Sequence, residues 1–163
     1  MKSLRSGIFF FVLSFLLLTP AGYSIAGQGD VCLIKISADI NPGVADFLKR
    51  GIKYAAEKDY GCIILQLDTP GGLSESMREM VMDILASKLP VVVYVAPGGA
   101  RAASAGVIIT MDADIAVMAP GTDIGAAHPV GIGGKDIGGA MSDKITNDMA
   151  AYARSISSKR QRN

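Results

Sequence analysis

The chain has no tryptophan, a single histidine and two cysteines among 163 residues, and aromatic side chains make up 6% of it. Neither cysteine has a histidine beside it, so the spacing of a metal site is missing. The formal charge is +1, with no basic block before the last few residues, which withholds the electrostatic footprint of a nucleic-acid-binding protein. No internal repeat and no low-complexity segment is present, which excludes a solenoid or a tail of biased composition. The longest early apolar run, Ile8 to Leu18, is too short to cross a bilayer comfortably, since about 20 residues are needed.

What is present suits one domain with a real core. Half the residues are apolar, 19% are charged and 19 are glycine, so close backbone packing is expected. Lys2 and Arg5 precede the short apolar run, and Thr19-Pro20 and small residues lead to Ser24-Ile25-Ala26. A basic start, a short apolar stretch and a small-x-small site describe an export signal over residues 1–26, leaving 27–163 as the folded part; an uncleaved anchor is the alternative. Loss of Lys2 and Arg5 turns the formal charge from +1 to −1. The protein is therefore expected outside the cytoplasm. Export permits a disulfide between Cys32 and Cys62, both near the starts of expected strands, although two buried thiols acting as small apolar groups are the preferred reading.

Strand and helix then alternate. VCLIKI (31–36) reads as a strand, and Asn41-Pro42-Gly43 opens a helix with Val44, Phe47, Leu48, Ile52 and Ala55 on one face. CIILQLD (62–68) is nearly continuous in apolar residues, as parallel strands covered on both faces are. Thr69-Pro70-Gly71-Gly72 breaks it, and a helix over 73–88 follows, with Leu73, Met77, Met80, Val81, Ile84 and Leu85 facing inward. Val91 to Ala96 is a third strand, and a small-residue helix runs to about Asp112. Ile115 to Met118 is a fourth strand. Residues 121–140, with seven glycines in twenty, form a loop of the kind that covers a substrate. The last helix begins near Ser142-Asp143 with Ile145, Met149, Tyr152 and Ile156 on one face, and SSKRQRN ends as a frayed tail. Such alternation predicts an α/β fold with a mainly parallel sheet and right-handed strand–helix crossovers. Three strand exits run into Gly/Pro-rich loops, and sites gather at the carboxyl ends of parallel strands. Gly71-Gly72, Ser104 and the 120–128 loop are thus expected on one rim.

Ser104 lies in Ala102-Ala103-Ser104-Ala105-Gly106, at a strand-to-helix turn among residues too small to shield it. By itself this reads more readily as a helix-packing serine than as a nucleophile, since a hydroxyl needs a neighbour to take its proton. Gly71 and Gly72 can turn N–H groups outward at a strand exit, as an oxyanion hole requires. Two bases compete. Lys144 begins an amphipathic helix, where the positive end of the helix dipole and burial would both favour the neutral amine, with Asp143 opposing. His128, the single histidine, carries an imidazole, a natural general base, and would want Asp123 or Asp136 as orienter. The residues alone leave both open.

LDTPGG, GARAASAG, MAPGTDIGAAHPV and KITND, in this order and at these spacings, resemble the N-terminal protease domain of the NfeD family, over about 31–163. These are membrane-associated serine proteases of the ClpP class, with a fold similar to ClpP and the crotonases. The resemblance implies a Ser104–Lys144 dyad, an oxyanion hole at Gly71 and Gly72, and His128 as a loop residue near the substrate channel. No cofactor and no metal are expected. The resemblance further implies homo-oligomers, protein or peptide substrates with apolar segments, and stomatin- or prohibitin-like membrane proteins as partners. Family domains continue past the segment resembling KRQRN, so the resemblance implies a domain whose C-terminal part is missing from 27–163. Three functions follow for testing: an exported Ser–Lys endopeptidase (or a Ser–His–Asp one using His128), a catalytically silent interaction domain, and a crotonase-type acyl-CoA enzyme. Export argues against the last, because acyl-CoA substrates are cytoplasmic.

Overall fold

Burial alternates residue by residue along the second strand, and this one pattern sets the layering. The computed structural model describes residues 29–128 and 139–162. Four strands, β1 (Val31–Ser37), β2 (Cys62–Asp68), β3 (Val91–Val95) and β5 (Ile115–Met118), form a parallel sheet in the order β1-β2-β3-β5. Ile63, Leu65 and Leu67 of β2 and Val91, Val93 and Val95 of β3 are fully buried, together with Ile34 and Ile36 of β1. Their neighbours on the opposite face are not: Leu33, Ile64, Val92 and Ile115 lie in one register row, and Lys35, Gln66, Tyr94 and Val117 in the next. All eight are half-buried or exposed. The expected cover on both faces is therefore absent among the described residues; one face carries the helices and the other is open.

The covered face explains the helices. Asn41 caps α1 (Pro42–Glu57) through its Oδ1, which accepts from Val44 N at 3.1 Å, and Pro42 supplies a preset φ at the first position. α1 buries Ala45, Leu48 and Ala55, while Phe47, expected inside, is 45% exposed. In α2 (Ser74–Leu85) the inward stripe is Met77, Met80, Val81 and Ile84 with Ser76. Leu73 and Leu85, expected to join it, are exposed because the helix is shorter than 73–88: Leu73 is its N-cap, ahead of the first turn, and Leu85 its last residue.

Two short strands were not foreseen. β4 (Arg101–Ala103) and β6 (Asp123–Gly125) pair in parallel as a separate ribbon over the carboxyl end of the sheet. Each is three residues long, below the length at which an apolar alternation can show. Between them in sequence lies α3 (Ala105–Asp112), short and buried on most sides. The final helix, α4 (Gly139–Lys159), starts three residues before Ser142. Ile156 is its one buried residue, with Met149, Tyr152 and Ala153 packed partly against the core.

Cys32 shares the helix-covered face with Ile63, whereas Cys62 aligns with Val31 on the open face. Residues on opposite faces of a pleated sheet cannot bridge, and both thiols are free. Burial pushes the Cys32 thiol up. The expected export signal over 1–26 and half of the expected covering loop, residues 129–138 of 121–140, lie outside the described residues. Among the described residues no helix is long and apolar enough to cross a membrane.

Candidate active site

The three Gly/Pro-rich strand exits are stitched together by backbone hydrogen bonds. Thr69 N donates to Arg101 O at 2.7 Å and Ala103 N to Thr69 O at 3.0 Å, which lays β4 beside the end of β2. The Asp68 carboxylate reinforces this, accepting from Arg101 N at 3.1 Å and from the Ser37 hydroxyl at 3.2 Å. Gly99 N donates to Gly121 O at 3.0 Å, Asp123 N to Ala100 O at 3.2 Å and Ser104 N to Gly125 O at 2.9 Å. The expected common rim of Gly71-Gly72, Ser104 and the loop after Pro120 is thus assembled by main-chain atoms.

Ser104 stands at the centre of that rim, between β4 and α3, with φ 53° and ψ −114°. A non-glycine residue held at positive φ is strained, of order 1–3 kcal/mol, and such strain is kept only where the surroundings over-determine it. The surroundings here leave no slack. A Cβ on Gly71 would lie 2.6 Å from Ser104 Cβ and 3.1 Å from its Oγ, and one on Gly106 would lie 2.7 Å from Thr69 Cγ2. Gly72, at φ +155°, would drive a Cβ to 2.1 Å from Ile40 O, because Ile40 and Leu73 clasp that strand exit through Ile40 N to Gly71 O (2.7 Å) and Leu73 N to Ile40 O (2.9 Å). The glycine pair and the small residues around Ser104 are one packing solution.

The main-chain donors are distributed differently from the expectation. Gly71 N donates to Thr69 Oγ1 at 3.2 Å, and that hydroxyl returns to Gly71 O at 3.3 Å, so the Gly71 N–H is already engaged. Among the described residues, the N–H groups of Gly72 and Ala105 have no acceptor. Ala105 was missed in the sequence, although the signal was available: the first residue of a helix has an N–H with no intrahelical partner. Beside Gly71 opens a cleft of about 420 Å³ lined by Asp39, Ile40, Asn41, Pro70, Gly71, Gly72 and Leu73. Leu73, 52% exposed, gives it an apolar wall.

Neither candidate base is brought onto Ser104. Lys144 is exposed in the second turn of α4, and the burial expected to neutralise it is lacking, because α4 turns Met149, Tyr152 and Ile156 inward instead. His128 is exposed, three residues past β6. Among the described residues neither hydrogen-bonds Ser104. Of the two carboxylates weighed as orienters, Asp123 is exposed and Asp136 lies outside the described residues.

A charged cluster that no pattern announced lies at the far end of α3. Asp112 is fully buried, and among the described residues neither of its carboxylate oxygens has a hydrogen-bond partner. Arg160 Nε approaches Oδ1 at 3.5 Å, Arg160 Nη1 bonds Asp114 Oδ1, and Arg162 Nη2 donates to Ala113 O at 2.6 Å. The expected frayed tail is therefore pinned. Burial pushes the Asp112 carboxyl up to about 6, with Arg160 pulling it back down. Nearer the middle of α4, Arg78 of α2 bonds Asp148 at 2.8 Å and stacks 4.3 Å over the Tyr152 ring. Among the described residues no three His, Cys, Asp or Glu side chains gather as a metal-binding group.

Comparison with known proteins identifies the family and agrees with the fold. Residues 30–162 match the family described as NfeD1b, N-terminal domain. The chain is 37% identical over 154 residues to "Membrane-bound protease PH1510" of Pyrococcus horikoshii, covering 93% of this chain and 35% of the relative. It is 36% identical over 119 residues to "Membrane protein NfeD1b" of Bacillus subtilis, covering 71% of this chain and 26% of that one. It thus spans about a third of the length of these relatives or less. Among solved structures it is similar to a serine-to-alanine mutant of the 1510-N membrane-bound stomatin-specific protease (TM-score 0.77, 37% identity, 84% of this chain and 67% of that one). A lysine-to-alanine mutant of 1510-N in complex with a substrate peptide matches at TM-score 0.74 and 36% identity, over 81% of this chain and 61% of that one. A ClpP1 mutant of Listeria monocytogenes, 20% identical at TM-score 0.58 over 81% of this chain and 74% of that one, shares the ClpP-like fold.

Proposed function

The chain belongs to the NfeD1b N-terminal domain family, and from that premise we propose that it is a serine endopeptidase in which Ser104 and Lys144 act as a dyad. One observation carries the reading: Ser104 is held at positive φ at a helix start, pressed against a glycine that leaves its hydroxyl uncovered. Ser104 Oγ attacks the peptide carbonyl while Lys144, in its amine form, takes the hydroxyl proton. The N–H groups of Gly72 and Ala105 donate to the oxyanion, each worth on the order of 3 kcal/mol in acyl-transfer sites. Collapse breaks the C–N bond, and Lys144 passes its proton to the leaving amine. Water then hydrolyses the ester and returns the proton to Ser104. Gly71, its N–H engaged by Thr69, serves by shape.

The solved relatives include one with a serine and one with a lysine replaced by alanine, the two residue types of the dyad. The stomatin specificity of those relatives motivates the partner, a stomatin-like membrane protein, and the Leu73 wall of the cleft suits apolar segments of it. Export by the 1–26 segment, association with a membrane and a homo-oligomeric state complete this reading.

A second reading rests on exposed Lys144: the chain by itself is a catalytically silent interaction domain. A fluorophosphonate-labelling and peptidase assay on an apolar peptide decides. Loss of peptidase activity in Ser104→Ala and Lys144→Ala, with retention in His128→Ala, supports the dyad. Loss in His128→Ala with retention in Lys144→Ala moves the base to His128. No Ser104-dependent labelling and no cleavage in the native chain returns the silent domain.

A further inference from the structure

Among the helices, α4 is the least held by apolar packing. Over 21 residues it buries a single side chain, Ile156, and its neighbours Met149, Tyr152 and Ala153 are covered in part. A helix with so narrow an apolar footing can settle one turn out of register, a shift of about 5.4 Å. Yet it carries Lys144, and that residue must meet a serine presented by a different helix.

Polar contacts hold it at two places. Arg78 bonds Asp148, which lies four residues after Lys144 and so on the same helix face. That contact is exposed. The other is not: Asp112 is fully buried, and Arg160, its partner, is nearly so. Asp112 ends α3, the eight-residue helix that starts immediately after Ser104. A helix of that length spans about 12 Å and moves as a rod. Arg160 follows the last residue of α4. The pair thus joins the far end of the serine's helix to the far end of the lysine's, and Arg162 Nη2 on Ala113 O ties the same corner.

We propose that Asp112 and Arg160 form a clasp that sets the register of α4 against α3, making both positioning residues for the reaction of Ser104 with Lys144. The inference rests on the dyad reading for its catalytic consequence, but the clasp's effect on helix register can be read without activity. A buried ion pair whose oxygens lack hydrogen bonds adds little to stability, because lost hydration outweighs the attraction. The upward shift of Asp112 fits, with burial outweighing Arg160. What such a pair can supply is discrimination between registers: any slip of α4 carries Arg160 away from a buried carboxylate.

The test uses the full chain with Asp112→Asn, Arg160→Met and Arg160→Lys. Three quantities are read: the thermal midpoint, the fluorophosphonate labelling of Ser104 separated into kinact and KI, and amide hydrogen exchange over residues 141–149. Asp112→Asn is expected to hold or raise the thermal midpoint, to lower kinact tenfold or more with KI within twofold, and to speed exchange over 141–149. Arg160→Met is expected to lower kinact likewise, and Arg160→Lys to keep it within threefold of native. Unchanged kinact and unchanged exchange in Asp112→Asn overturn the clasp while native labelling leaves the dyad standing. A fall in kinact matched by a fall in the midpoint and by uniformly faster exchange across the chain also overturns it, since that is a structural loss. If the native chain shows no Ser104-dependent labelling, the dyad reading fails instead, and exchange at 141–149 alone upholds or overturns the clasp as a register device.

Discussion

The two sides of the proposed dyad are built from opposite materials. Around Ser104 the geometry is set by main chain: β4, β6 and residues 69–72 are joined by backbone hydrogen bonds, and three glycines admit no added carbon. Around Lys144 it is set by side chains, on a helix with one buried residue and two charged ties. Backbone-made geometry is stiff, insensitive to pH and intolerant of substitution. Side-chain-made geometry responds to charge and can be moved with little change in global stability. The contrast teaches that a nucleophile and its base need not be equally preformed.

The largest effect is expected where a carbon is forced into the stiff side. Gly72→Ala places a Cβ against Ile40 O and at a positive φ, and should lower stability by roughly 3 kcal/mol or more in urea unfolding. A mild effect there would break the comparison, because it would show the Ile40–Gly72 contact yielding. The next effect belongs to the adjustable side. Asp112 holds its proton up to about pH 6 in the folded chain and to about 3.8 when unfolded, so the folded form binds more protons between those values. Stability should therefore fall as pH rises from about 4 to about 6, by on the order of 2–3 kcal/mol, and be level above. Asp112→Asn should remove that fall, as chemical denaturation across pH 4–7 would show.

Smaller effects sharpen the contrast. Ser104→Gly should be more stable than Ser104→Ala by about 1 kcal/mol in thermal unfolding, because glycine accepts φ 53° and alanine does not. Equal stabilities would mean that the turn is not strained. Arg78→Ala should cost about 1 kcal/mol or less, since its pair with Asp148 is largely exposed and its stacking on Tyr152 is modest, and high salt should shrink the difference between it and the native chain.

Much of this was legible in order along the chain. Asn41-Pro42 signalled its helix, the apolar runs at 62–68 and 91–95 signalled the central strands, and Gly/Pro breaks at three strand exits signalled the rim. The open sheet face was not, because Ile64 and Val92 are apolar whether or not something covers them. β4 and β6 escaped because three residues carry no period. Ala105 escaped because its contribution is a backbone N–H, which no side chain advertises. Asp112 and Arg160 lie 48 positions apart, and a lone acid at a helix end next to a basic tail reads as surface.

Periodicity and turn chemistry are local, so the sequence by itself determined which segments are strands and helices, where the breaks fall, and that Ser104 sits among residues too small to cover it. Registry, face and burial depend on partners distant in the chain, so only the tertiary structure decided the rest. It set Gly71 against Ser104, engaged one N–H of the glycine pair and left the other open. It also left Lys144 in solvent and buried a carboxylate beneath the helix that carries that lysine.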